Sequence, residues 1–240
     1  MLWLNTLSVY GIVYALGFIV YIFIQHPLDK NNISYRLYIS IYTSIATILG
    51  ARIFYVVIYE PQYYLTYSFE IIQIFKGGMS FHGALIAIVV ATFILDKQKF
   101  FINLDRASIC AMLILPIGRT VNFLNGELYG RISTLPFAII FEGVDENPRH
   151  PSQLYEAISE GPIIGLIILI LYMRGKIYKP GQIATIFAML YAIMRFLIEF
   201  TRQPDISVGF IFTYFTLGQI LCFLQFILAF ILYRYITKKV

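Results

Sequence analysis

Apolar stretches of about 20 residues recur along this chain, and each is long enough to cross about 30 Å of hydrocarbon. That repetition limits the fold more than any motif does. Inside a bilayer every backbone N–H and C=O must find its partner within the chain, so the spans are expected as helices. Strands of a membrane barrel would alternate in polarity over about 10 residues, and the sequence has no such alternation. Composition points the same way. Hydrophobic residues make up 59% of the chain and charged residues only 13%, where a soluble domain carries about 25% charged residues to cover itself in water. The expected fold class is an all-α integral membrane protein with about seven transmembrane helices, at 7–25, 37–59, 80–95, 107–125, 152–173, 181–201 and 210–233. No repeat, low-complexity tract or linker divides it, so residues 1–240 read as a single polytopic membrane domain. The first lysine is Lys30, beyond the first span, and 7–25 therefore reads as a retained helix rather than a cleaved signal.

Charge in the connections predicts orientation. One alternate set of loops holds Lys30, Arg36, Lys97, Lys99, Arg106, Arg174, Lys176, Lys179, Arg234, Lys238 and Lys239. The other set holds only Lys76, Arg131, Arg149 and Arg202. Positive loops stay in the cytoplasm, so the N-terminus is expected outside and the C-terminus in the cytoplasm. The net charge of +5 would suggest nucleic acid in a soluble protein. Here the positives sit between spans, and no nucleic-acid partner is expected. Cys110 and Cys222 both lie in apolar runs and read as buried thiols. No Cys or His spacing suits a metal.

Charge within a membrane helix costs ~2.5–3.5 kcal/mol for Arg at mid-helix and usually faces a bundle interior or a wet cavity. In the sixth span Tyr191, Arg195, Glu199 and Arg202 follow at spacings of 4, 4 and 3, which puts all of them on one helical face. A packing ion pair would explain Arg195 and Glu199 alone. Two arginines on one face, with a third from another span, favour an anion site, because the guanidinium fork bonds two phosphate oxygens at once. The fourth span ends in Arg119, Asn122 and Glu127, just after Pro116 and Gly118 loosen the helix. This is too polar for a plain interfacial cap. His82, between Gly78 and Gly83 at the start of the third span, reads either as a satisfied interior residue or as a proton-transfer group near neutral pH. His150-Pro151-Ser152-Gln153-Leu154-Tyr155-Glu156 opens the fifth span and reads equally as helix capping and as function. Tyr10-Gly11 adds a tyrosine near the end of the first span. All five stretches map to the non-cytoplasmic side, which points to an outward-facing polar cavity.

These residues resemble the prolipoprotein diacylglyceryl transferase family. Its signature, Gly-Arg-x-x-Asn-Phe-x-Asn-x-Glu-x-x-Gly, is matched from Gly118 to Gly130. Gly77-Gly78-Met79-Ser80-Phe81-His82-Gly83, the stretch from His150 to Glu156, Arg195 with Glu199 and Arg202-Gln203-Pro204-Asp205, and Tyr10-Gly11 are similar to further motifs of the family, in the same order. Ala84 stands where the family often has a second glycine, and the segment from about 132 to 149 is shorter than in many relatives.

The resemblance implies that phosphatidylglycerol donates its diacylglyceryl group to the lipobox cysteine of a prolipoprotein. A thioether forms, glycerol phosphate leaves, and the setting is a bacterial cytoplasmic membrane with the active site toward the outer face. A free thiol has a pKa of about 8.5 and reacts as thiolate, so the reaction needs a base or a cationic setting. The anionic leaving group needs positive donors where charge develops. On this reading Arg119 and Arg195 clamp the lipid phosphate, Glu199 orients Arg195, and Arg202 adds positive field. His82 is the candidate base, or is merely structural if arginine suffices to stabilise the thiolate. Tyr10, Asn122 and Glu127 position the headgroup, Gly130 permits close approach, and Tyr191 shares the substrate-binding face. No metal or organic cofactor is implied. The partners are phosphatidylglycerol, prolipoprotein lipobox peptides and membrane lipids, with lipid entering through a lateral gap. A transporter or flippase would predict repeated halves, a packing-only scaffold would leave the polar cluster unexplained, and an intramembrane protease would need a Ser–His pair, paired Asp or a metal motif. None of these features is visible.

Overall fold

A computed structural model describes residues 6–25, 32–74, 77–204, 209–211 and 214–238. Asp205 of the fourth motif and the loop lysines Lys30, Lys76 and Lys239 lie outside the described residues. The protein is mostly helical. Its helices are α1 (Thr6–Gln25), α2 (Ile33–Phe54, continued by a π turn Tyr55–Tyr59), α3 (Pro61–Thr66), α4 (Phe81–Leu95), α5 (Phe100–Leu124), α6 (Ser152–Ile158), α7 (Ile164–Met173), α8 (Gln182–Ile198) and α9 (Leu217–Lys238). A π turn at Ser159–Ile163 joins α6 to α7, and a 3-10 turn at Ser68–Ile72 follows α3. Two short strands, β1 (Phe210–Ile211) and β2 (Phe215–Thr216), pair antiparallel before α9.

Among the described residues, four helical stretches are long and apolar enough to cross a membrane: Ile33–Tyr59, Phe100–Leu124, Ser152–Met173 and Leu217–Lys238. Val9–Gln25, Phe81–Leu95 and Gln182–Ile198 are apolar but shorter. Burial is inverted relative to a soluble protein. Phe23, Ile94, Leu166 and Leu228 are more than half exposed, while Gln153, Glu156, Glu160 and Gln182 are buried. Apolar surface suits lipid, and polar groups are cheapest where they meet one another. The molecule is a membrane protein.

The final helix corrects an expected boundary. The apolar run from Phe210 predicted a span starting there, yet Phe210–Ile211 and Phe215–Thr216 are the strands β1 and β2, and α9 begins at Leu217. The stop is chemical. Thr216 Oγ1 accepts from the Gln219 N–H (3.3 Å) while Gln219 Oε1 accepts from the Thr216 N–H (3.0 Å), a reciprocal cap that satisfies two of the donors a helix start leaves open. Among the described residues, the ribbon and the isolated bridges at Gly130, Ile132 and Ile139 are the departures from an all-α chain.

Contacts divide the chain into two compact units, one of Met1–Gly17 with Ser108–Val240 and one of Phe18–Ala107. In the first, α8 and α9 pack side by side, and Gln225 Nε2 donates to the Ala188 carbonyl at 2.9 Å. Lys179 Nζ donates to the Thr237 carbonyl at 3.1 Å, a cation at a helix C-terminus. In the second, α2 packs on α4. A Cβ on Gly83 would lie 2.4 Å from the Gly50 carbonyl oxygen and 2.3 Å from Phe54 Cβ. The small residues let these backbones touch, the usual device where hydrophobic drive between helices is missing.

Candidate active site

The site grows from α6. Glu156 and Glu160, one helical turn apart, are both fully buried. Gly161 lies between them and α5: a Cβ there would stand 2.1 Å from Pro116 Cγ and 2.6 Å from the Met112 carbonyl oxygen. This close approach brings the next turn of α5, with Arg119, onto the two carboxylates. Arg119 donates from Nε and Nη2 to Glu160 at 2.9 and 3.1 Å, and its Nη1 lies 3.1 Å from Glu156 Oε2. The other oxygen of Glu156 meets α8 and its continuation. Arg195 Nη1 lies 3.4 Å away and Arg202 Nη1 lies 3.2 Å away. Glu199 pairs with Arg195 and accepts from Thr216 Oγ1 at 2.9 Å.

Three arginines and three glutamates thus alternate in one network centred on Glu156. Burying any of these charges alone would be costly, and mutual pairing is what makes the cluster tolerable in a dry interior. The accessible part of the cluster is cationic: the side chains of Arg119 and Arg195 are 14% and 12% exposed, while Glu156 and Glu160 are at 0%. Arg195 and Arg202 reach the carboxylates through Nη1. Among the described residues, their Nε and Nη2 donors make no hydrogen bond. The third carboxylate, Glu199, is 6% exposed, so an acceptor-rich anion touching this cluster meets mainly guanidinium.

A second group forms around Glu127. Tyr10 donates to Glu127 Oε2 at 2.5 Å, and Asn122 Nδ2 donates to the Tyr10 oxygen at 2.5 Å and to Glu127 Oε2 at 3.2 Å. Asn125 Nδ2 donates to Oε1 at 3.2 Å. The α6 start holds the same turn: Gln153 Nε2 donates to the Glu127 carbonyl (2.6 Å) and Ser152 Oγ to the Leu128 carbonyl (3.2 Å). Leu128 has φ 56°, a left-handed conformation that costs energy outside glycine. The bonds on either side of it keep it there.

Gly130 serves the chain's own backbone. Its N–H donates to the His150 carbonyl (3.0 Å), and a Cβ would lie 2.4 Å from that oxygen and 2.7 Å from the Thr201 oxygen. Beside it Arg131 Nε donates to the Arg202 carbonyl (2.9 Å) and Arg149 Nη1 to the Gly130 carbonyl (3.1 Å). The short segment after α5 is therefore laced to the end of α8. Asp145 there is held by Arg149, with Nη2 at 2.5 Å, and this bond lowers its carboxyl to about 2.

The expected residues fall into place as follows. Arg119, Arg195, Glu199 and Arg202 meet, and Tyr10, Asn122 and Glu127 meet. Tyr191 is fully buried one turn before Arg195, its ring 6.0 Å from Phe187. His82 belongs to the other unit, in the first turn of α4, its ring 5.8 Å from Phe81. Sequence reasoning missed Glu160 and left Glu156 open between capping and function. The signal was two glutamates four residues apart at the start of a long apolar helical stretch. The cysteines are free thiols, Cys222 buried and Cys110 partly so. Among the described residues, no group of His, Cys, Asp and Glu could hold a metal.

Residues 2–235 match the family model described as prolipoprotein diacylglyceryl transferase. The chain is similar to proteins named phosphatidylglycerol–prolipoprotein diacylglyceryl transferase in several bacteria. It is 37% identical to that of Geobacter sulfurreducens over 92% of this chain and 87% of the relative. It is 36% identical to that of Wolbachia pipientis over 96% and 93%, and 37% identical to that of Ehrlichia ruminantium over 94% and 90%.

Proposed function

The chain belongs to the prolipoprotein diacylglyceryl transferase family, and from that premise we infer how its own residues carry the reaction. The enzyme transfers the diacylglyceryl group of phosphatidylglycerol to the cysteine thiol of a prolipoprotein. The thiolate sulfur attacks the glyceryl carbon that carries the phosphate ester. The C–S bond forms as the C–O bond breaks, and glycerol phosphate leaves with the bonding pair. The observation that supports Arg119 and Arg195 as the phosphate clamp is their exposure within a network whose carboxylates are buried. A phosphate joins this network rather than displacing a partner, because a guanidinium has five N–H donors and, among the described residues, those of Arg195 and Arg202 are only partly used. Glu156 and Glu199 hold the forks still, so positive charge is already oriented where the leaving group becomes anionic.

Tyr10, Asn122 and Glu127 position the glycerol headgroup. Their hydroxyl, amide and carboxylate suit an alcohol-rich partner. His82 takes the thiol proton. Its support is the chemistry of imidazole near neutral pH and its glycine-flanked place at a helix start. The seven apolar helices all span, with the N-terminus outside and the C-terminus cytoplasmic by the charge of the loops. The membrane is the bacterial cytoplasmic membrane, the active site faces outward, and the acceptor is the lipobox cysteine.

The deciding experiment mixes purified protein with labelled phosphatidylglycerol and a lipobox peptide carrying a free Cys. Thioether-linked lipid with release of glycerol phosphate is expected. Arg195→Lys keeps the charge and loses the fork, and should lower turnover by about 10²-fold, the scale seen when one preorganised donor to a developing anion is lost. Full activity of Arg195→Lys would remove the clamp. Lipid movement between leaflets without covalent product would replace the transferase with a flippase.

A further inference from the structure

Arg52, near the end of α2, is 3% exposed and plays no part in the reading above. Its guanidinium is spent on backbone. Nε donates to the Ile71 carbonyl (2.9 Å), Nη2 to the Glu70 carbonyl (2.6 Å), and Nη1 to the carbonyls of Gly77 (2.6 Å) and Gly78 (3.1 Å). The Tyr64 ring lies 5.0 Å from its central carbon. Among the described residues, none of its partners is a carboxylate.

We infer that Arg52 is a positioning residue for His82, setting the path by which the chain enters α4. This rests on the proposed role of His82 as base. Two consecutive residues of α2 hold that entry. Arg52 grips Gly77 and Gly78, and the Ala51 carbonyl accepts from the Ser80 N–H at 3.0 Å. Ser80 then caps α4, its Oγ accepting from the Gly83 N–H at 3.4 Å, and His82 stands in the turn so capped. Gly78 has φ +72°, and a Cβ on it would lie 2.6 Å from the Tyr55 ring and 2.7 Å from Arg52 Nη1. The guanidinium therefore occupies the space that only a glycine leaves. A lysine ammonium is a point charge on a flexible stem and cannot reach carbonyls on both segments together. The four bonds bring no counter-charge, so their effect is geometric: they fix backbone where the chain enters α4, a few residues before the imidazole.

The test is a double-mutant cycle on the purified full chain, using labelled phosphatidylglycerol and a Cys-bearing lipobox peptide. R52K is expected to lower kcat at least tenfold and leave KM for the lipid within twofold. H82A is expected to be slower still, and R52K/H82A no slower than H82A. Coupled residues give such non-additive losses. Added imidazole should raise H82A and R52K/H82A to the same rate, because a diffusible base needs no positioning. Wild-type turnover of H82A would remove the base itself, and this inference with it. A slow H82A with R52K within twofold of wild type would overturn the positioning role alone. So would losses that multiply, or a gap between the two variants that imidazole leaves open. If R52K does not fold, Gly78→Ala takes its place in the same cycle, with the same expectations.

Discussion

Two sites, one in each unit, bury arginine in opposite ways. In one, Arg119, Arg195 and Arg202 converge on Glu156, and Arg119 and Arg195 keep part of their surface. In the other, Arg52 meets four backbone carbonyls and is almost wholly enclosed. Each solution meets the cost of a charge in an apolar setting, with different consequences. A carboxylate neutralises the guanidinium and leaves donors over, so a cluster of such pairs stays able to take up an anion. Carbonyls consume the donors and leave the charge, so the residue serves as a clamp on the chain. On the proposed reading, which partner an arginine finds separates a binding group from a scaffold group.

Glu156→Gln should show the largest effect on this contrast. It removes the charge on which three guanidiniums converge, and breaking a buried pair from one side costs about 3–5 kcal/mol. Transferase activity should fall by about 10²-fold or more, with a lower unfolding midpoint in detergent. Unchanged activity would mean that the carboxylate-paired arginines are as structural as Arg52. Thr216→Val should act less strongly. It removes the α9 cap and a hydrogen bond to Glu199 together, worth about 1–3 kcal/mol, measured as a shift in the unfolding midpoint. Activity should drop only a few-fold, because Arg195 still holds Glu199. A loss as large as that of Glu156→Gln would show that the orientation of Glu199, rather than the charge at Glu156, governs the cluster.

The smallest effect concerns the pair Arg149–Asp145, outside the spans. The Arg149 bond lowers the folded-state carboxyl of Asp145 to about 2. Its unfolded value is near 3.8. A depressed carboxyl contributes stability above the unfolded value and loses it as pH falls through the folded one. The contribution is therefore whole above about pH 4 and gone below about pH 2. Asp145→Asn should flatten the part of the midpoint-against-pH curve that lies in that window, and should leave transfer at neutral pH within twofold. An unaltered curve would show that the pair does not hold the segment after α5.

Much of this could be read from the residues alone. Spacings of 4, 4 and 3 put Tyr191, Arg195, Glu199 and Arg202 on one face, and the structure pairs Arg195 with Glu199. The run from Arg119 to Glu127 was legible as a polar group, and Tyr10 does join it. Other features were not legible. Glu160 was missed, and only the contact of Gly161 with Pro116 shows which guanidinium it meets. The run from Phe210 to Thr216 is apolar enough to pass for helix. Its ribbon depends on pairing between strands two residues long, too short for any periodicity to register. The partners of Arg52 were not legible either, because carbonyl acceptors leave no trace in side-chain chemistry.

The sequence by itself determined the helices and their immersion in lipid, since apolar length and backbone self-satisfaction are local properties. It also determined which residues share a helical face. The tertiary structure alone decided which carboxylates Arg119 and Arg202 meet and that Arg52 meets carbonyls instead. Those partners lie up to 46 residues apart, and what joins them is the close approach of backbones at Gly161 and at Gly83, a matter of shape rather than of pattern.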